Sequence, residues 1–264
     1  MVKIVSDISH VGGSTIILIN LTNLFNSKGI DTTFYGPHDF HMGKCKSKKL
    51  DELKFTKNDI VMAHHIKFDR RPNVKRIVLA CHEKWWFEVA DVKKYWDTAV
   101  FNHEEHRQYH HRYNGPYVLI PNPKDVINPL YPIDKPELDL VAGVIGSIEE
   151  RKQTHVSIER ALADGCEKVL VFGKVMDADY YKKYCRKYYF HPSVEFRDYS
   201  ENKQETYNSI GRVYHMSIGE VSCLVKDECH YTNTKFFGND QTNHEVSNLT
   251  NDELFELWKD VLKF

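Results

Sequence analysis

Short apolar runs recur along the chain, most of them continuous rather than alternating. They are Lys3–Val5, Thr32–Tyr35, Ile60–Ala63, Arg76–Cys81, Ala99–Asn102 and Tyr117–Ile120, then Val141–Ile145, Lys168–Phe172, Val194–Phe196, Arg212–His215 and Thr234–Phe237. A strand wetted on one face alternates apolar and polar side chains. A strand covered on both faces does not, so the pattern predicts parallel strands inside an α/β sheet. Between the runs the period changes to that of a helix. Ser14–Lys28 gathers Ile17, Leu21, Leu24 and Phe25 on one face, and Thr154–Ala163 does the same with Val156, Ile158, Ala161 and Leu162. Asp177–Tyr189, Asn202–Ser209 and Asn251–Leu262 are further helical segments. Alternating β and α elements predict doubly wound parallel sheets.

The rhythm breaks once, at Pro121-Asn122-Pro123, which opens a stretch holding Pro129, Pro132 and Pro136. Proline fixes φ and removes a donor, so this stretch is neither helix nor central strand. The expected organisation is an N-terminal Rossmann-like domain over 1–123, a linker over 124–137, and a C-terminal Rossmann-like domain over 138–264. A cleft lies between the two, and the last helix is free to pack back on the first. The 264 residues suffice for two cores of that size.

Composition narrows the picture. With 36 basic and 37 acidic residues the net charge is −1, so any attraction to nucleic acid or an anionic membrane has to be local. Six cysteines without a C-x-x-C pair read as the reduced thiols of a cytosolic protein. The opening Met1-Val2-Lys3-Ile4-Val5 leads straight into Ser6-Asp7, without the apolar region of a signal peptide, and no run of about 18 apolar residues follows. The expected location is the cytoplasm, with docking at the periphery of a membrane left open.

Candidate chemistry lies where strands deliver the chain to loops. Val11-Gly12-Gly13-Ser14 opens the first long helix. Paired glycines admit close backbone approach and a helix N-terminus favours anions, which suits a phosphate; a plain strand-to-helix turn capped by Ser14 is the alternative. Val144-Ile145-Gly146-Ser147 with Arg151-Lys152 repeats the arrangement, now with two cations able to grip a diphosphate. Glu220 and Glu228 would lie about 12 Å apart on a continuous helix, turned roughly 80° off register. That exceeds the spacing of a retaining-hydrolase pair, about 5–5.5 Å, but suits carboxylates gripping separate hydroxyls of one long ligand. His103, His106 and His110 share a helical face, read as polar and partly exposed; no H-E-x-x-H pattern supports a metal there, and none is expected. His82 ends a strand, where open α/β sheets bind ligands, and Trp85-Trp86 follow as stacking or core residues. Lys44, Lys46, Lys48 and Lys49 form a basic segment, read as a solvated loop.

Taken in order, these pieces resemble the retaining GT-B-fold glycosyltransferases of family four. The resemblance runs through Gly12-Gly13, Thr32-Thr33-Phe34-Tyr35, Val78–His82, Ile120-Pro121-Asn122-Pro123, Val144-Ile145-Gly146-Ser147 with Arg151-Lys152, Val169-Leu170-Val171-Phe172-Gly173, and Ser217-Ile218-Gly219-Glu220 ahead of Glu228. It implies that Glu228 binds the nucleotide ribose, that Glu220 lies by the donor sugar, and that Arg151 and Lys152 neutralise the departing diphosphate. It further implies that Gly13, beside Gly12, approaches the phosphates or donor sugar, that Gly146 and Ser147 belong to the donor loop, that Gly173 lies near the base, and that His82 lies near the transferred sugar. Departures are Ser147 where relatives carry arginine, and Cys229-His230-Tyr231-Thr232-Asn233 where they carry small residues ending in glycine; Asn233 can still take the left-handed turn.

The function so implied is metal-independent transfer of a sugar, with retention, from a UDP- or GDP-sugar to a carbohydrate, glycolipid or other hydroxyl acceptor, with no cofactor. The alternatives are a DNA-base-modifying glucosyltransferase, using the lysine segment, and a non-catalytic nucleotide- or sugar-binding module descended from a transferase. A metal-dependent hydrolase built on the histidines ranks last.

Overall fold

The computed structural model describes residues 1–8, 12–37, 43–66, 68–83, 95–198 and 202–264. Val11, Trp85 and Trp86 lie outside the described residues. The chain forms two compact units, Met1–Pro129 with Asn248–Phe264, and Leu130–Ser247.

The first unit holds β1 (Val2–Ser6), β2 (Thr32–Gly36), β3 (Ser47–Lys49), β4 (Ile60–His64), β5 (Arg76–Ala80), β6 (Thr98–Phe101) and β7 (Tyr117–Leu119), with helices α1 (Gly13–Ser27) and α2 (Glu104–Tyr109). Its strands form one sheet in the order β3-β2-β1-β4-β5-β6-β7, paired in parallel throughout. The second unit holds β8 (Val141–Ile145), α3 (Thr154–Ala163), β9 (Lys168–Phe172), α4 (Ala178–Tyr180), β10 (Val194–Arg197), α5 (Lys203–Asn208), β11 (Arg212–His215), α6 (Leu224–Tyr231) and β12 (Lys235–Gly238). Its parallel sheet runs β10-β9-β8-β11-β12. The chain ends in α7 (Asn251–Leu262). The eleven predicted strands are present. The short strand β3 and helix α6 were not foreseen, because neither carries an apolar period long enough to stand out. Asp177–Tyr189 is not one regular helix: α4 passes into a π-helical turn, Tyr181–Cys185, and a 3-10 turn, Arg186–Phe190.

The continuous apolar runs follow from burial on both faces. Along β9, Val169 and Val171 enter one core cluster with Val144, Ile158 and Tyr214, while Leu170 and Phe172 enter another with Tyr207, Ile210 and Val213. In the first unit β1 is buried along its whole length, and α1 covers the sheet with Ile17, Leu18, Leu21, Leu24 and Phe25. Lys3, inside β1, is buried as an ion. Its Nζ lies 2.6 Å from Asp59 Oδ2 and also donates to the Lys54 carbonyl. Burial by itself would raise the Asp59 pKa, but the hydrogen bonds from Lys3 and Thr56 and the Lys3 charge together outweigh it and the pKa is lowered.

Helix α7 belongs with the first unit although it follows the second in sequence. Thr250 and Glu253 close a capping box at its start, and its apolar stripe buries Leu254, Trp258 and Leu262. The Phe25 ring meets Phe255 at 6.2 Å and Trp258 at 6.1 Å, both edge-on. Among the described residues, no helix is long and apolar enough to cross a membrane.

Both sheets reverse their strand order beside the first strand of the unit, between β1 and β4 and between β8 and β11. Crossovers leave in opposite directions there, opening a crevice at the carboxyl ends of the strands where such sheets hold ligands.

Replacing Trp258 by Ala should cost about 3–5 kcal/mol, read as a lowered urea midpoint of the full chain.

Candidate functional site

In the second unit the crevice is built from the ends of β8 and β11. Past Ile145 the chain turns through Gly146 at φ +140°, a conformation side chains resist. The Gly146 amide donates to the Phe172 carbonyl at the end of β9, 2.9 Å away. A Cβ on Gly173 would fall 1.8 Å from the Gly146 carbonyl oxygen, so the two segments approach as closely as they do only because Gly173 has no side chain. Arg151 and Lys152 then lie in a 3-10 turn, and Gln153, at φ +49°, reverses the chain into α3.

Glu220 gathers the charges. Its Oε1 lies 2.5 Å from Lys152 Nζ, 3.2 Å from His215 Nε2 and 3.8 Å from Arg151 Nη1. Burial alone would raise the pKa of this carboxyl, but the His215 hydrogen bond and the Lys152 charge overcome it and hold the group well below the usual carboxylate range. His215 ends β11, and its Nδ1 lies 3.1 Å from the Ile145 carbonyl oxygen at the end of β8. Both ring nitrogens thus face oxygens that can only accept, so a ring N–H on either side has a partner. Arg151 also donates to Glu149 Oε1, at 3.0 Å, and to the Gly219 carbonyl, at 3.2 Å. Ser147 Oγ donates to the same Glu149 oxygen, at 2.7 Å. The loop bearing Glu220 is fixed by backbone: the Arg151 carbonyl accepts from the Ile218 amide at 3.0 Å and from Ser217 Oγ at 3.1 Å.

Glu228 has a separate setting. It stands on α6, where Tyr207 Oη donates to its Oε2 at 2.8 Å and Lys203 pairs with its Oε1. Burial first, and then the charge of Glu228, push the Tyr207 pKa well above its ordinary value, so the phenol stays a donor. Glu220 and Glu228 therefore do not share a helix. Glu220 lies in the loop after β11 and only Glu228 is on α6, because Cys223 caps α6 between them. Asn233, at φ +56°, turns the chain out of α6 towards β12, the part glycine plays in the related pattern.

In the first unit, Gly12 caps α1 in extended conformation and Gly13 begins the helix. Ser14 is inside the first turn rather than at the cap, and its hydroxyl donates to the Glu83 carboxylate. Across the crevice, His64 Nδ1 at the end of β4 lies 3.1 Å from Ser6 Oγ at the end of β1. The His82 ring is 5.4 Å from that of His64. His64 is 1 % and His82 9 % exposed, and among the described residues His64 Nε2 and both nitrogens of His82 have no hydrogen-bond partner. Burial lowers the His82 pKa to about 4, only partly offset by the neighbouring Asn102 side chain, so the ring is neutral at pH 7.

Of the helical histidines read as a polar, partly exposed face, His103 is partly exposed but His106 and His110 are not. His106 and His110 are buried against Phe101, and the Nε2 of each lies within 3.3 Å of the Glu83 carbonyl oxygen. The His103 ring caps α2 by accepting from the His106 amide. They fold the chain after β5 onto α2. Among the described residues no group of three His, Cys, Asp or Glu side chains is placed to hold a metal ion. In the lysine segment, Lys46 pairs with Asp31 and Lys48 lies 3.8 Å from Glu52, beside the edge strand β3. Charges on an edge also discourage sheet-to-sheet pairing.

The structure brings Gly146, Ser147, Arg151, Lys152, Gly173 and Glu220 to one end of the second sheet. It sets Glu228 on the neighbouring α6, and Gly12, Gly13 and His82 at the carboxyl end of the first. Sequence reasoning missed His215, Glu149, Lys203 and Tyr207. His215 carried a usable signal, since it ends a predicted strand as His82 does.

No protein-family model matches the sequence, and no curated protein matches it. Solved structures do. HepE of Anabaena, in complex with UDP-glucose, superposes with a TM-score of 0.68 at 12% identity, over 99% of this chain and 90% of that one. WaaG, a glycosyltransferase involved in lipopolysaccharide biosynthesis, gives 0.64 at 11% identity, over 100% and 91%. AviGT4, a glycosyltransferase involved in avilamycin A biosynthesis, gives 0.61 at 14% identity, over 96% and 86%. The fold class is therefore that of the GT-B glycosyltransferases, with a Rossmann-like parallel sheet in each unit.

Two outcomes follow from the geometry. Because the folded pKa of Glu220 is depressed, its stabilisation is complete above the unfolded value, about 4.3, and is lost as the pH falls below it. The melting-temperature advantage of the parent over Glu220→Gln should therefore be greatest near pH 7 and shrink below about pH 4, in thermal melts at a series of pH values. Gly173→Ala should destabilise the chain by about 1–3 kcal/mol through overpacking, read from urea unfolding.

Proposed function

We propose that the chain transfers a sugar from a nucleotide-sugar donor to a hydroxyl acceptor, with retention and without a metal. The observation that carries this reading is the cluster of Lys152, Arg151 and His215 about Glu220, at the point where the second sheet reverses its strand order. A diphosphate is a leaving group whose charge grows as its bond to the sugar breaks. Preorganised cations there stabilise the transition state more than the ground state. The ammonium of Lys152 has three donors and the guanidinium of Arg151 five, so each can hold a carboxylate and still meet phosphate oxygens.

In the proposed reaction the bond between the anomeric carbon and the diphosphate oxygen breaks, and the acceptor oxygen bonds to that carbon on the same face. The acceptor proton passes to a phosphate oxygen of the leaving group, and free nucleoside diphosphate departs. Glu220 orients Lys152 and Arg151 and hydrogen-bonds the donor sugar. Glu228 binds the ribose hydroxyls, held in place by Tyr207 and Lys203. The turn of Gly146 and Ser147 lies along the diphosphate, with Gly173 by the base. Gly12 and Gly13 direct amides at the donor, and neutral His82 hydrogen-bonds a sugar hydroxyl. The donor nucleotide is proposed to be UDP, since HepE was solved with UDP-glucose, with GDP the other candidate.

A thermal-shift panel of UDP, GDP, ADP and their sugar conjugates should show the largest rise with the cognate nucleotide, about 2.7 kcal/mol at a hundredfold excess over Kd. No rise with any of them would refute the reading. Lys152→Ala should lower kcat for release of nucleoside diphosphate by roughly 10²–10³. Near-normal turnover would remove Lys152 from its role, and parent protein that binds donor but never hydrolyses or transfers it would be a binding module.

A further inference from the structure

After α4 the chain reads Tyr181-Lys182-Lys183-Tyr184-Cys185-Arg186-Lys187-Tyr188-Tyr189-Phe190, five aromatic residues and four cations without a carboxylate. The helical turns sort them by face. Tyr180, Cys185 and Tyr188 enter the core cluster that holds Ile158, Val169 and Val194, and Tyr181 and Tyr184 pack against it. Lys182, Lys183, Arg186 and Lys187 are exposed on the other side. Steps of one, three and one residues keep the four on adjoining rows of the surface. Lys183 and Lys187 lie over the rings of Tyr184 and Tyr188, each 4.8 Å from the centroid, and Lys187 also meets Glu159 at 3.0 Å.

The rows end in an apolar point. Tyr189 is 60 % exposed and Phe190 80 %, the most exposed large apolar side chain among the described residues. The two rings contact each other edge-on at 5.2 Å. An exposed phenylalanine gains nothing from water, and a core position lies only two residues before it, at Tyr188. Cations beside an exposed aromatic pair match an anionic bilayer: the lysines and arginine meet the headgroup charge, tyrosine suits the interface, and phenylalanine enters the acyl boundary. With a net charge of −1 on the chain, this attraction has to come from a local patch.

We infer that the outward face of residues 181–190 docks the second unit on an anionic lipid surface. This inference is independent of the transfer reaction. Nucleic acid is the other polyanion to weigh, but it would stack bases on open ring faces lying among the cations. Here the two exposed rings lean on each other beyond them.

The test is co-sedimentation of the full chain with vesicles of phosphatidylcholine alone and of phosphatidylcholine mixed with phosphatidylglycerol, at low and physiological salt. Binding is expected to the mixed vesicles only and to weaken as salt rises. Lys182→Ala should lower partitioning about fivefold, each near-surface cation being worth about that factor. Tyr189→Ser with Phe190→Ser should lower it further, while melting temperature and the response to UDP stay as in the parent. Absence of binding, equal binding to neutral vesicles, or full binding by the variants would overturn the inference. So would duplex DNA that displaces the protein from vesicles and loses affinity through the same substitutions.

Discussion

A single carboxylate oxygen organises the second unit's site. Oε1 of Glu220 receives Lys152 from the turn before α3 and His215 from the end of β11, with Arg151 close by. These groups come from segments far apart in sequence, and their charges could not share a partly buried pocket without a counter-charge. Removing Glu220 would leave two or three cations facing one another at the end of the sheet. Keeping it holds them in fixed positions before any ligand arrives. The site is thus close to neutral as it stands, since Glu149 balances Arg151 much as Glu220 balances Lys152.

That neutrality bears on the proposed chemistry. A diphosphate entering such a site competes with carboxylates for the same cations, so ground-state binding gains less than a bare cationic pocket would offer. As charge develops on the leaving group, the balance shifts towards phosphate. Interactions that strengthen in the transition state raise turnover, whereas uniform binding does not. Glu228 plays a quieter part on α6. Both of its oxygens are already engaged, by Lys203 and by the buried Tyr207, which fixes the orientation of the carboxylate.

The two units solve the same problem with similar means. Each sheet reverses its strand order, and each places a buried histidine on the second strand of the reversal, in contact with the end of the first. His64 meets Ser6, and His215 meets the Ile145 carbonyl. The environments then separate their behaviour. Among the described residues no carboxylate pairs with His64, and burial drives its pKa well down; His215 lies against a carboxylate. One crevice therefore offers neutral hydrogen-bonding rings and the other a charged cluster.

The order of strands and helices was legible in the chain because burial on both faces leaves continuous apolar runs, and that signal is local. The glycines after β8 and β9 and the Arg151-Lys152 pair were legible for the same reason, as was the left-handed turn at Asn233. What the chain could not reveal depended on distance in sequence. Glu220 and Glu228 looked like one helical pair until Cys223 was seen to start α6 between them. His106 and His110 looked like part of a polar, partly exposed face until their ring nitrogens were found on the Glu83 carbonyl. His215 acquires its place only when β8 and β11 lie side by side, so that Ile145 and Glu220, seventy-odd positions apart, hold opposite edges of one ring. Periodicity records which faces are buried; which charges then neutralise one another is decided by the pairing of strands.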